Sequence, residues 1–235
     1  MDLPRFYLEN HTPGLPAITL DEVNSKHLVQ VLRKQAGDLV EIVDGKGNVL
    51  QANILSAHKR HCELTVKSTA FQTKIGPSIS IAMGILKNSN RFEWFVEKAV
   101  EIGVSEIIPI ASTRTQKDKL RLDRLQNIAI SAMLQSQRAY ATKIHEVKNF
   151  EEVLKLTPTG QKLIAHCLPS PEKVALKNVS LANCQNILIL IGPEGDFTPD
   201  EIALAIAAGF SEISLGDQRL RTETAGIVAA TFMCI

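Results

Sequence analysis

Five apolar runs in the last two thirds of the chain limit its fold more than any other feature: ISIAMGIL (79–86), EIIPI (106–110), KLIAHC (162–167), NILILI (186–191) and SEISL (211–215). The first is continuous where a half-covered strand would alternate, the mark of a strand buried on both faces. Helical sequence separates the runs. RFEWFVEKAVEIG sets Phe92, Phe95, Val96, Ala99 and Val100 at helical spacing and stops at Gly103. RLDRLQNIAISAMLQSQR is a long amphipathic helix. Strand alternating with helix specifies a parallel α/β domain over residues 73–235.

Residues 1–72 follow another pattern. LVEIVDGKGNVLQANIL alternates around DGKGN, a hairpin signal, and ELTVKSTAF supplies a further strand. DEVNSKHLVQVLR is a short helix with Val23, Leu28, Val31 and Leu32 apolar, Asp21 placed to cap it and His27 expected as a partly buried packing residue. Six or so short strands with one helix suggest a small barrel. TKIGPS (73–78) is the linker.

With 235 residues, 45% of them hydrophobic and 22% charged, the chain can bury two such cores. No apolar run approaches the roughly 20 residues needed to span a bilayer. The start, MDLPRFYLEN, lacks the apolar centre of a signal peptide, so a cytoplasmic protein without membrane association is expected. Cys62, Cys167, Cys184 and Cys234 are scattered and expected to be reduced thiols. HKRHC (58–62) is the only cluster resembling metal ligands, but it lacks a second ligand pair and reads as a polar hairpin turn, so no metal site is expected.

The net charge of +1 is unevenly spread. Residues 113–148 carry eight Lys/Arg against three acids, whereas 186–235 carry two against seven. That asymmetry suits a surface meeting a polyanion, and suits an ordinary solvated helix face equally well.

IGPEGDFTPDE (191–201) has the form of strand end, tight turn and helix start. Thr198 is the N-cap, Pro199 the first helical residue and Glu201 the capping-box partner. The turn thus lies at the carboxyl edge of the sheet, where open α/β folds bind ligands. Phosphate is disfavoured because Glu194 and Asp196 occupy the turn, which suits a neutral or cationic ligand approached closely by backbone at the glycines. No dinucleotide fingerprint, P-loop or nucleophile elbow is present. A second glycine turn, GDQRLRTETAG (216–226), brings Arg219, Arg221 and Glu223, with Thr222 able to cap the helix TETAGIVAATFMCI. That apolar helix calls for a partner surface, in its own core or in a second subunit.

LIGPEGD followed by LGDQRLRTETA resembles the paired cofactor loops of the SPOUT methyltransferases. With RFYLEN, HLVQVLRKQAGD and RFEWFVEKAVEIGVSEIIPI in the expected order, the chain is similar more narrowly to the RsmE family, which methylates N3 of a uridine in 16S rRNA of the small ribosomal subunit. The resemblance covers nearly the whole chain. It implies a PUA-like, RNA-binding β-barrel at 1–72, then an α/β SPOUT domain at 73–235 with a C-terminal trefoil knot, S-adenosylmethionine in the knot loops, and a homodimer joined through the knot region. Carried over, the cofactor loops are Ile191, Gly192, Pro193, Glu194 and Gly195, then Leu215, Gly216, Leu220 and Thr222, with His166 and Cys167 on a third wall. A family member acting on another RNA position, or a catalytically silent RNA-binding or ribosome-assembly protein, are the alternatives.

Methyl transfer from a sulfonium requires alignment of donor and acceptor, and uridine N3 must lose a proton. Arg221 is expected to stabilise the uridinate, with Glu223 orienting it or helping to remove the proton. Arg114 and Arg138 are candidate RNA contacts from the basic segment, with solvation or phosphate positioning as the other possibility. Arg5, Arg33 and Lys34 are candidate RNA contacts from the barrel, whose eight basic and eight acidic side chains cancel. Three positions depart from the family pattern: Gln218 for an arginine, Leu134 for a glutamate and Asp196 for a frequent glycine.

Overall fold

A computed structural model describes residues 3–9, 16–116, 119–156, 160–180 and 184–235. Lys117 and Asp118 of the basic segment, and Met1, Asp2 and Asn10 of the N-terminal stretch, lie outside the described residues. The chain divides into two compact units, Met1–Lys74 with Met133–Ala141, and Ile75–Ala132 with Thr142–Ile235.

The first unit contains β1 (Arg5–Tyr7), β2 (Ala17–Thr19), α1 (Glu22–Lys26), β3 (Leu39–Val43), β4 (Asn48–Ser56) and β5 (Glu63–Phe71). Among the described residues, five strands rather than six or so form its sheet, in the order β1-β3-β4-β5-β2. Phe6 on one edge strand and Ile18 on the other enter one core with Ile42, Leu50 and Leu64, so the sheet curls around a single interior. The β3–β4 turn is organised by Asp44, whose Oδ1 accepts the N–H groups of Lys46 (2.7 Å) and Asn48 (3.1 Å). Arg5 is held by Glu41 (2.7 Å) and by the carbonyl of Gln137.

Asp21 caps α1 as expected, its Oδ1 accepting the Asn24 N–H at 2.8 Å. Beyond Lys26 the helix continues as a π turn over His27–Val31, with Leu32 N–H donating to the His27 carbonyl. The wider turn breaks the regular spacing that grouped the apolar residues. Leu28 alone of the four is buried, while Val23 and Val31 are 77% and 68% exposed. His27 is exposed as well, its ring edge-on to Phe6 at 6.0 Å, which corrects the expectation of partial burial.

The second unit contains β6 (Ser78–Gly84), α2 (Ser89–Ile102), β7 (Glu106–Ala111), α3 (Leu122–Gln135, whose last residues count with the first unit), β8 (Lys143–Ile144), β9 (Lys148–Asn149), α4 (Phe150–Leu154), β10 (Gln161–Ala165), β11 (Val174–Ala175), β12 (Asn186–Ile191), α5 (Pro199–Ala207), β13 (Ser211–Ser214) and α6 (Thr222–Cys234). The sheet runs β11-β13-β10-β12-β6-β7-β8, with β9 also on β7, and its ladders are parallel. Ala82, Ile108, Ile164, Leu188 and Leu190 face a core closed by Phe150, Phe197, Ile202 and Phe210. Alternate residues such as Ile81, Met83 and Ile189 are equally buried, and α2 and α6 pack together with β6, where Phe95 and Met83 close on Gly226. Cover on both faces is the physical reason for continuous apolar strands. From β6 the chain steps outward to β7, β8 and β9, and β10 to β13 lie on the other side, with β12 next to β6. That reversal is the switch point at which a parallel sheet opens a crevice.

Candidate active site

The chain after β10, β12 and β13, the first turns of α6, and Arg91 of α2 enclose a cavity of ≈ 960 Å³ at the carboxyl ends of these strands. Its size lies within the range of roughly 300–1,000 Å³ usual for small-molecule sites. His166, Ile191, Gly192, Pro193, Glu194, Leu215, Gly216, Leu220, Arg221, Thr222 and Glu223 all stand on its wall. Gly195 does not. It lines a neighbouring cavity of ≈ 530 Å³ with Lys87, Thr113, Arg114, Thr115 and Gln116, and Glu194 belongs to both.

The loop after β12 is set by close approach. A Cβ at Gly84 would run into the backbone of Pro193, and one at Gly192 would lie 2.9 Å from Asp196 Oδ1. Among the loop's non-glycine residues it is Asp196 that adopts a left-handed conformation (φ 62°), which a short polar side chain tolerates. Its Oδ1 accepts the Phe197 N–H (2.8 Å) and its Oδ2 the Cys167 N–H (2.7 Å), so the departure from glycine ties two walls together. Burial, with Asp196 beside it, pushes the Cys167 thiol up. Thr198 and Glu201 form the expected capping box, and Glu201 Oε1 also accepts the Thr113 N–H at 2.8 Å.

The His166 side chain is 1% exposed, so His166 meets the cavity through its backbone. Its Nε2 lies 2.8 Å from Glu212 Oε1, and Ser170 donates to the other Glu212 oxygen at 3.1 Å. Lys173 donates to the carbonyls of His166 (2.8 Å) and Leu168 (2.6 Å). Burial, reinforced by the Lys173 charge, holds the imidazole below its ordinary pKa despite Glu212. Nδ1 is buried with no partner among the described residues.

Arg221, not Thr222, occupies the N-cap position of α6, and its side chain makes no capping hydrogen bond. The helix begins one residue before the sequence pattern suggests, Ala225 N–H donating to the Arg221 carbonyl at 2.8 Å. Arg221 and Arg219 are exposed. Neither has an ion pair or side-chain hydrogen bond among the described residues. Glu223 is buried in the first turn and pairs with Arg91, Oε1 to Nε 3.6 Å, rather than with Arg221. Its Oε2 is buried with no partner among the described residues.

Residues 74–234 match the family model of the RNA methyltransferase domain. The chain belongs to this RNA methyltransferase family. Residues 20–67 match the RNA methyltransferase PUA domain, as the resemblance implied. The enzyme is 30% identical over 217 residues to the ribosomal RNA small subunit methyltransferase E of Synechocystis sp., across 90% of this chain and 71% of that protein. It is similar to two solved structures. One is a probable rRNA-methyltransferase of Porphyromonas gingivalis, 37% identical with a TM-score of 0.89, covering 98% of this chain and 96% of that one. The other is the ribosomal RNA small subunit methyltransferase E of Neisseria gonorrhoeae bound to S-adenosyl methionine, 29% identical with a TM-score of 0.87, covering 99% and 97%. Membership in the RsmE family, expected from the motifs, holds.

The candidate RNA contacts of the enzyme divide between the units. Arg5, Arg33, Lys34 and Arg138 belong to the first. Arg5 is taken up by Glu41 and Gln137, whereas Arg33 is exposed in a left-handed conformation (φ 53°). Arg114 belongs to the second and donates to the Gly195 carbonyl at 2.6 Å, bracing the cavity loop. His58 and His61 stack at 3.8 Å, and among the described residues no group of three or more His, Cys, Asp or Glu is arranged to hold a metal.

Sequence patterns missed Arg91. A cation in the first turn of α2 opposes the helix dipole, and that local conflict was the available signal. Lys173 was missed too, and no pattern marks it.

Proposed function

We propose that the enzyme transfers a methyl group from S-adenosylmethionine to N3 of a specific uridine in 16S rRNA of the small ribosomal subunit. The single observation that carries this is the convergence of three post-strand loops and the start of α6 on one cavity walled by Glu194, Asp196 and Glu223. The wall carries four carboxylates, Glu194, Asp196, Asp217 and Glu223, and four cations, Arg91, Lys173, Arg219 and Arg221, so it offers partners both to a sulfonium and its ammonium group and to an anionic substrate. The similarity to the S-adenosyl methionine-bound Neisseria gonorrhoeae protein supports the same ligand here.

The chain's own residues would act as follows. The backbone of 191–194, of 215–216 and of His166 holds the donor, which supplies an electrophilic methyl group when bound. Glu223 takes the N3 proton, and Arg221, which has no carboxylate partner among the described residues, stabilises the charge that develops on the uracil oxygens. N3 is a pairing edge, so the base enters unpaired or flipped. The PUA domain and Arg114 hold the RNA. The C-terminal segment is knotted, two subunits join through that region, and the protein works in the cytoplasm.

Calorimetry with S-adenosylmethionine and mass spectrometry of rRNA from a deletion strain test the proposal. Binding, together with loss of N3-methyluridine from small-subunit rRNA, is expected. Persistence of that nucleotide would overturn the substrate, and absence of binding would overturn the enzyme.

A further inference from the structure

The cavity of ≈ 530 Å³ lies beside the larger one along the carboxyl ends of the parallel strands. Strand order sets this arrangement. The larger cavity sits beyond β13, β10 and β12, the smaller beyond β12, β6 and β7, and the loop after β12 is the partition. Glu194 of that loop lines both. The smaller cavity has its own chemistry. Lys87 and Arg114 stand on its wall with Thr113 and Gln116, and Glu194 is its one carboxylate among the described residues. Glu194 Oε1 is already occupied, accepting the backbone N–H of Lys87 at 3.0 Å. The Lys87 ammonium, the Thr113 hydroxyl and the Gln116 amide are exposed and have no partner among the described residues. Arg114 spends one N–H on the Gly195 carbonyl at 2.6 Å, and its stem lies so close that a Cβ at Gly195 would meet it at 3.2 Å. A guanidinium has five N–H donors, so most of them stay available. A cation held in place in this way loses little side-chain freedom when it binds.

We propose that this second cavity binds a phosphodiester of the RNA strand next to the target uridine, with Lys87 and Arg114 as its cations. This rests on the RNA substrate proposed above. Donors outnumber acceptors on the wall, and two cations face one carboxylate that is already engaged, so the site selects an anion. A nucleotide that turns its base into the larger cavity leaves the strand outside it, with the flanking phosphates at the rim. One loop separates the two cavities, so a phosphate at that rim reaches the second. Contacts of this kind fix where the strand lies and do not read its sequence.

Lys87 tests the site cleanly, because it braces the loop through its backbone N–H, which Lys87→Ala keeps. The probe is a synthetic RNA of the small-subunit sequence around the target uridine, made with ordinary phosphates and with neutral methylphosphonates on both sides of that uridine. Binding to the full chain is measured over a range of salt. Lys87→Ala should weaken binding of the ordinary RNA about fivefold near 0.1 M salt and lower the salt slope by about 0.7, the counterion release of one contact to a single strand. Lys87→Arg should restore both, and S-adenosylmethionine affinity should stay within about twofold. The methylphosphonate RNA should bind the unaltered enzyme at least about fivefold more weakly, and on it Lys87→Ala should cost nothing further. Unchanged affinity and slope for Lys87→Ala on the ordinary RNA would overturn the proposal. An equal loss on both RNAs would also overturn it, because Lys87 would then serve a phosphate elsewhere. Methyl transfer to the uridine with no effect of Lys87→Ala would sink the site alone. Lys87-dependent binding without methyl transfer by the unaltered enzyme would overturn the proposed uridine and leave the phosphate site standing.

Discussion

The carboxylate of Asp196 accepts the backbone N–H of Cys167 at 2.7 Å, joining the loop after β12 to the loop after β10 across the cavity. Asp196→Ala removes that acceptor and leaves an alanine in a left-handed conformation (φ 62°). S-adenosylmethionine should bind about tenfold more weakly by calorimetry, the low end for losing a hydrogen bond to a charged group, with turnover at saturation nearly unchanged. Asp196→Gly separates the causes, because glycine relieves the backbone without restoring the bond. Recovery of affinity in the glycine variant would show that the conformation matters and the bond does not.

Gly226→Ala sets two effects against each other. Alanine favours a helix interior by about 1 kcal/mol over glycine. The new methyl would lie 2.5 Å from Phe95 Cε2 and 2.9 Å from Phe95 Cδ2, inside a packed interface. Overpacking costs about 1–3 kcal/mol, which leaves a net loss of up to about 2 kcal/mol in urea unfolding. Adding Phe95→Leu should return part of it, and a stabilised Gly226→Ala protein would mean that α2 and α6 separate easily.

His166 gives a pH dependence with a definite sign. Its folded pKa is depressed by burial, aided by Lys173, so the folded state favours the neutral ring. The stability is full above the unfolded pKa of about 6.5 and falls as pH drops through that value toward the folded pKa, by at most about 1.4 kcal/mol per pH unit. His166→Asn should flatten this slope in urea titrations between neutral and mildly acidic pH. An unchanged slope would assign the dependence to other groups.

Arg5 and Arg33 should behave differently although both are basic residues of the PUA unit. Arg5→Ala breaks a partly buried pair with Glu41 and the contact to the Gln137 carbonyl, so it should cost about 1–3 kcal/mol of stability. Arg33→Ala should leave stability unchanged and lower the salt dependence of RNA binding by about one charge. A reduced salt slope for Arg5→Ala at unaltered stability would make Arg5 an RNA contact.

Much of the second unit was legible because it is encoded locally. Strands covered on both faces need apolar residues at every position, so the runs that include Ile79, Ile107, Leu163 and Ile187 announce themselves. Thr198, Pro199 and Glu201 satisfy one another within a single turn, and the capping box forms where the pattern puts it. The short helix of the first unit was less legible. Spacing that assumes 3.6 residues per turn cannot anticipate a π turn, and Val23 and Val31 are left in solvent.

By itself, the sequence determined the longer strands and helices of the second unit, where α5 starts and which family the chain belongs to. Those properties depend on residue type and short spacing. Only the tertiary structure decided that Glu223 faces Arg91 rather than Arg221, that Asp196 holds Cys167, that the His166 ring is buried against Glu212, and that Arg138 counts with the first unit. Each of these is settled by which elements pack side by side, and partners distant along the chain leave no periodic trace in it.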